Sequence, residues 1–257
     1  MAQVEDGTAN VLVELDAGIG LLRLNRPQRL NALDDATVVA LTEQLEAWEW
    51  DKDVRAVLLT SEGPRAFSAG SDIKEMAGFD ETQLARHQAL GVRLCDRMTS
   101  SRLPIVVAIR GYALGGGLEI ALAADLRIAG ESAVLGTPEV ELNAIPSWGG
   151  TQRLPAIVGL GRATQLVLTG EKIDAATALS WGLVNAVVRD DELEQRARAL
   201  CERLAALGPA VGMLKTLLRQ GTAATHQSGF ALEALADALS AVSPEFKSSV
   251  GDFGSGS

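Results

Sequence analysis

The sequence predicts an α/β fold that closes in a helical region, and three observations carry that prediction. Short apolar, β-branched runs alternate with helical patterns from residue 11 to about residue 190. From there on, the periodic segments are helical. Between them, Pro104-Ile105-Val106-Val107-Ala108-Ile109 reads as a buried strand that enters the glycine turn of residues 111–119. Residues 118–125 then carry Ala, Leu and Ile without a breaker, as a helix does. The same strand spacing also suits a doubly wound sheet, so the pattern alone leaves the topology open. The 257 residues suffice for one large domain or two smaller ones.

The elements follow in order. Residues 11–15 and 19–24 flank Asp16-Ala17-Gly18 as strand, turn and strand. Residues 25–31 form a polar loop containing Arg26, Pro27 and Arg29. Asp34 or Asp35 is placed to cap the next helix, on which Val38, Leu41, Leu45 and Trp48 fall at helical spacing. Residues 54–60 are a further strand, and the turn Ser61-Glu62-Gly63-Pro64 leads to residues 67–74, a second strand exit that opens a short helix. A longer helix passes Leu84, Leu90, Leu94 and Met98 and stops before Pro104. Beyond the glycine turn, residues 126–129 and 133–136 are short strands, and residues 137–140 lead into a loop. Residues 146–154 interrupt the chain before helices resume. Terminal helices cover 193–207, 211–220 and 230–242, punctuated by Gly208-Pro209 and Gly221. Residues 251–257, rich in Gly and Ser, are expected to form a mobile tail.

Composition narrows the function classes. A formal charge of −10 argues against a nucleic-acid or anionic-membrane partner, because the phosphate field would repel the chain. It leaves room for a small anionic ligand held by a few local cations. Cys95 and Cys201 are the only cysteines, and both fall in helical apolar patterns, which favours core packing over a disulfide or a metal site. Met1-Ala2-Gln3-Val4-Glu5-Asp6 lacks the basic and apolar regions of a signal peptide, and no run approaches membrane length, so a cytoplasmic location is expected.

The chemistry centres on two loops. Ala69-Gly70-Ser71-Asp72 and Gly115-Gly116-Gly117 each leave a strand and open a helix, where backbone N–H groups lack helical partners at the positive end of the dipole. If the loops converge, one N–H from each can grip a carbonyl oxygen that becomes anionic. Glu119 follows the glycines directly. An eight-residue helix advances about 12 Å, and a short strand returns at about 3.3 Å per residue, which lets Glu139 come back beside Glu119. Two carboxylates beside such a hole suit addition of water across an alkene conjugated to a carbonyl. One takes a proton from water, the other delivers one to Cα, and their proximity pushes their pKa values apart. Gly-x-Gly-x-x-Gly, a phosphate-loop Lys-Ser/Thr and Gly-x-Ser-x-Gly are absent, and no cluster has metal-ligand spacing. His87 and His226 both fall in helical stretches.

Leu24-Asn25-Arg26-Pro27, Ala66-Phe67-Ser68-Ala69-Gly70-Ser71-Asp72-Ile73-Lys74, residues 111–119, Pro138-Glu139-Val140-Glu141-Leu142, residues 149–154 and Leu168-Thr169-Gly170 stand in this order. Together they resemble the crotonase (enoyl-CoA hydratase/isomerase) superfamily, from about residue 10 to residue 250. The resemblance implies a crotonase-like spiral of ββα-type turns over residues 1–195, carrying the active site. It also implies a C-terminal helical trimerisation region over residues 196–257, in homotrimers or hexamers. The implied substrate is an acyl-CoA thioester, with no cofactor; the family likeness, not the residues, supplies CoA. The family's oxyanion-hole amides fall on Ser71 and Gly116. Its catalytic glutamates fall on Glu119, mainly activating water, and Glu139, mainly protonating Cα.

Isomerases of the family generally use only the second acid, so the presence of both implies an enoyl-CoA hydratase. That enzyme is a hydro-lyase that converts a 2-enoyl-CoA to a 3-hydroxyacyl-CoA, or the reverse. Enoyl-CoA isomerase is the runner-up, and an inactive binding or scaffolding member is the alternative of a different class. Arg26, Arg29 and Lys74 are candidates for the CoA phosphates, with Ala69, Asp72, Ile73 and Leu114 on the same loops as substrate contacts. Trp148 stands where many relatives have a small residue and is expected to narrow or reshape the acyl pocket. Residues 246–253 resemble the family's closing helix but lead into Gly and Ser rather than basic residues, which argues against a C-terminal phosphate contact.

Overall fold

A computed structural model describes residues 9–221 and 226–254, so the expectations for residues 1–6 and 255–257 lie outside the described residues. The chain opens with an antiparallel hairpin of β1 (Val11–Asp16) and β2 (Ile19–Leu24). Its turn holds Ala17 and Gly18 at φ 52° and 83°, the left-handed pair that matches strand twist. Helix α1 (Asp35–Glu49) follows, capped by Asp34, whose carboxylate accepts the Thr37 N–H at 2.8 Å.

Three successive passes then repeat one plan. In the first, β3 (Ala56–Ser61) and β4 (Ala66–Ser68) lead to α2 (Ile73–Met76) and α3 (Glu81–Ser100). The second runs β5 (Ile105–Ile109), β6 (Tyr112–Leu114) and α4 (Gly116–Ala123). The third runs β7 (Leu126–Gly130), β8 (Val134–Gly136) and a 3-10 turn at Pro138–Leu142, then α5 (Gly150–Val158) and α6 (Leu160–Thr169). After β9 (Lys172–Asp174), α7 (Ala175–Ser180) and β10 (Ala186–Val188), the chain is helical. These last helices are α8 (Leu193–Ala206), α9 (Ala210–Gly221), α10 (His226–Ala241) and α11 (Pro244–Gly254). Residues 251–254, expected in a mobile tail, instead continue α11.

Each pass lays one strand in each of two sheets. The larger has the order β1-β2-β3-β5-β7-β10 and the smaller β4-β6-β8-β9. Within them β3, β5 and β7 are parallel neighbours, as are β4, β6 and β8. This is a spiral, not a single doubly wound sheet. The central strands β2, β3, β5 and β7 of the larger sheet are buried on both faces, which is why they read as nearly unbroken apolar runs. Leu22, Val57, Leu59 and Val107 join the core that includes Leu41, Leu94 and Leu118 from the helices. Leu21, Leu58, Val106 and Ala108 pack against Leu193, Ala197, Cys201 and Ala205 of α8. Residues 195 and 196 both lie within α8, whose i, i+4 face covers the larger sheet. Helix α9 is tied to the same body by Lys215, buried with its ammonium on Met98 O (2.9 Å), Leu103 O (2.8 Å) and Asp125 (2.9 Å). Both cysteines are buried, and burial pushes each thiol up to about 12. Among the described residues no helix is long and apolar enough to cross a membrane.

Candidate active site

Because β4, β6 and β8 lie side by side, the loops that leave them also lie side by side. Gly70 sits at φ 93°, and a Cβ there would lie 2.8 Å from Leu114 O and 3.2 Å from Gly116 N. Gly115 donates its N–H to Gly136 O at 3.0 Å, and a Cβ on it would lie 3.3 Å from Glu139 Oε1. Only glycine permits this approach of three loops. The sequence expectation of convergence is met at this level: the 69–72 and 115–117 loops are in contact, with Glu139 against the second.

The two amides have reasons to be available. Gly116 is the first residue of α4, whose leading N–H groups have no helical carbonyl. Ser71 pairs with Leu33 through bonds that belong to its neighbours, Leu33 N to Gly70 O (2.8 Å) and Asp72 N to Leu33 O (3.0 Å). That pairing leaves the Ser71 N–H out.

The carboxylates differ in environment. Glu119 is 2 % exposed, and its Oε1 accepts the N–H groups of Trp148 (2.8 Å) and Gly150 (2.7 Å). Burial pushes its pKa up, while those amides and the Arg153 charge pull the other way and favour the carboxylate. Glu139 lies in the first turn of the 3-10 segment, one residue after Pro138, and neither of its buried carboxyl oxygens has a protein partner among the described residues. Burial, with Glu119 nearby, raises its pKa to about 7. One carboxyl is thus held in place by two amides that favour its ionised form, against a burial that keeps its pKa above the usual value. The other, without a partner among the described residues, is free to exchange a proton near neutrality.

The remaining expected residues divide. Arg29, at the end of a 3-10 turn over Pro27–Arg29, and Ile73 and Lys74, which start α2, are exposed, and Ala69 and Leu114 are half-buried. Arg26 is not presented at the surface for a phosphate. Its guanidinium bonds Asp72 (2.9 Å), Asp34 (3.1 Å) and Ala32 O (2.6 Å). Asp72 is correspondingly buried behind the loop; burial opposes its ionisation, but the Arg26 hydrogen bond and charge outweigh it and hold the carboxyl below its usual value. Trp148 is 1 % exposed and wedged into a slot made by two glycines, where a Cβ on Gly91 would lie 2.0 Å, and one on Gly116 2.9 Å, from its ring. It therefore backs the Gly115–Gly116 turn from inside the core. His87 is buried with Nδ1 on Asp35 at 2.7 Å, and His226 is exposed on α10. Among the described residues no three His, Cys, Asp or Glu side chains gather as a metal site. The amides of Trp148 and Gly150 were not legible as functional, because backbone groups act there whatever the side chain.

Two sheets wound as one spiral, with two buried carboxyls beside a strand-exit glycine turn, place the chain among mixed α/β enzymes. The chain matches the enoyl-CoA hydratase/isomerase family model over residues 14–251, and it belongs to that family. It is 37% identical over 225 residues to a short-chain-enoyl-CoA hydratase of Clostridium acetobutylicum, covering 87% of this chain and 86% of that protein. To a probable enoyl-CoA hydratase of Rhizobium meliloti it is 40% identical over 224 residues, covering 87% and 86%. The crystal structure of an enoyl-CoA hydratase from Bacillus anthracis superposes with a TM-score of 0.86 at 38% identity, covering 88% of this chain and 89% of that one. The structure of DspI from Pseudomonas aeruginosa superposes with a TM-score of 0.93 at 31% identity, covering 98% and 97%.

Proposed function

We propose that this chain is an enoyl-CoA hydratase that adds water reversibly across the 2,3 double bond of a 2-enoyl-CoA to give the 3-hydroxyacyl-CoA. The observation that carries the reading is the unlike pair of buried carboxyls beside the Gly115–Gly116 turn. Glu119, oriented by two amides that favour its carboxylate, takes a proton from water as the oxygen attacks Cβ. Glu139, near neutrality in pKa and without competing partners, delivers a proton to Cα. Between these events the thioester oxygen carries enolate charge, and the N–H groups of Ser71 and Gly116 receive it; losing one such donor typically costs about 10²–10³ in rate. Arg29 and Lys74 are the candidates for the CoA phosphates, since Arg26 already has its carboxylates. Double-bond isomerisation needs only Glu139, so the ordered seat of Glu119 favours hydration over it.

Self-association belongs to the same reading. Phe230, Leu235 and Leu239 of α10 are each at least half exposed, an apolar row that suits burial against further copies in a homotrimer or hexamer.

The test is loss of enoyl-thioester absorbance when the protein meets crotonyl-CoA and longer or aryl 2-enoyl-CoAs. Turnover of any of them supports hydration. Binding without turnover across the panel sinks hydration and favours isomerisation, and absence of binding sinks the acyl-CoA reading.

A further inference from the structure

Glu119 owes its seat to a loop, and α3 holds that loop at two points. Residues 147–150 carry both amides that reach Glu119 Oε1. At one end, Gln88 of α3 receives on its Oε1 both the Trp148 Nε1–H (3.0 Å) and the Ser147 hydroxyl. An indole N–H can only donate, so the side-chain oxygen of Gln88 must face it, and with the hydroxyl both lone pairs are filled. At the other end, Arg153 reaches Trp148 O (2.8 Å) and is itself paired with Asp96 of α3 (3.0 Å). His87, one residue before Gln88, packs against the indole with ring centroids 5.3 Å apart and the planes tilted by 53°. No substrate or reacting atom needs to touch Gln88 for this clamp to matter.

Resting on the reading of Glu119 as the water-activating base, we propose that Gln88 is a positioning residue for it. By fixing Ser147 and Trp148, it keeps the Trp148 and Gly150 amides aimed at the carboxylate. Those amides stabilise the ionised form, so misaligning them raises the pH at which Glu119 becomes a base. Other groups face Glu119 from the elements packed against it. Arg153 from α5, Glu139 from the 3-10 turn and Cys95 from α3 interact with it directly, while Asp96 of α3 pairs with Arg153 and His87 lies against the Trp148 indole. Tyr112 is the titratable group of β6, and β4 has none. Replacing Gln88 by an uncharged residue leaves every one of these in place.

The test compares Gln88→Met, which keeps length and removes the acceptor, with Gln88→Glu, which keeps an acceptor oxygen. Gln88→Met is expected to lower kcat by about 10–100-fold with KM little changed, the range seen when a group that orients a reacting residue is lost. Its acid limb should move to higher pH by about one unit, and Gln88→Glu should recover most of kcat. In parallel, the Glu119 carboxyl is titrated by carbon NMR, assigned by the signal missing in Glu119→Gln. That titration should move up in Gln88→Met, and it requires no turnover. An unmoved acid limb and an unmoved Glu119 titration in Gln88→Met would overturn the proposal, whatever happens to kcat or thermal stability. If the wild type turns over no enoyl-CoA, the hydratase reading fails, while the titration still decides whether Gln88 governs Glu119.

Discussion

Glu119 and Glu139 are chemically identical side chains made different by what their oxygens touch, and their substitutions should differ accordingly. Glu119→Gln and Glu139→Gln should each lower turnover by about 10²–10⁴-fold in an enoyl-CoA assay while leaving CoA-ester affinity largely intact. Full activity in both variants would refute the roles. In the hydration direction Glu139 must carry its proton, so activity should fall as pH rises through about 7. In the dehydration direction the same group must be ionised, and the limb inverts. Stability carries the same signature. The folded pKa of Glu139 lies above its unfolded value, so its burial costs nothing below the unfolded pKa. The cost grows as pH rises towards about 7 and is complete above it. Discounted for solvent screening, Glu139→Gln should stabilise the fold by about 1–2 kcal/mol near pH 8, and the gain should vanish near pH 4. Melting temperatures of the two proteins across that range check the sign.

At the scale of the element, the loops and helices around the site are fixed by contacts between glycine and bulky or polar atoms. Gly70→Ala must adopt φ near 93° and push its Cβ against Leu114 O, so it should lose about 1–3 kcal/mol and crowd the proposed oxyanion hole as well. Trp148→Ala should cost about 3–5 kcal/mol by emptying the Gly91–Gly116 slot, and it should shift preference toward bulkier acyl groups. An unchanged melting temperature with an unchanged chain-length profile would remove Trp148 from both roles.

Much of this was readable in the sequence. Val57, Leu59 and Val107 announce strands by apolar continuity, and the Asp34 cap and Gly115-Gly116-Gly117 announce helix starts. The three-residue strands β6 and β9 were not readable, because they are too short for a period and exist only through pairing, β6 with β4 and β8 and β9 with β8. The partnership of Arg26 with Asp72 was equally hidden, since it joins positions 46 residues apart. Gln88 and Gly91 look like ordinary helix residues until Trp148 is seen packed on them.

At the scale of the whole molecule, the question is what the last helices do beyond covering the spiral. Helix α8 is committed inward through Leu193, Ala197, Cys201 and Ala205, and α9 is pinned through Lys215 and Asp125. Helix α10 is different: no residue of it with described burial is buried, and Leu235 and Leu239 line a cavity of about 870 Å³ against Arg102, Pro104 and Met213. An isolated chain gains little by holding such a face in water, whereas burial in an assembly gains roughly 25 cal/mol for each Å² of apolar surface covered. The proposed trimer or hexamer should therefore scatter light as three or six times 27.0 kDa. Leu235→Glu combined with Leu239→Glu places charge on that face and should shift the mass to that of a single chain. The spiral, whose core uses neither residue, should keep its fold and its circular dichroism. A double variant that still scatters as the wild type would show that α10 is not the contact. A wild type that is already monomeric would remove self-association from the proposed function while leaving the carboxyl chemistry untouched, because every group assigned to that chemistry comes from residues 69–153 of one chain.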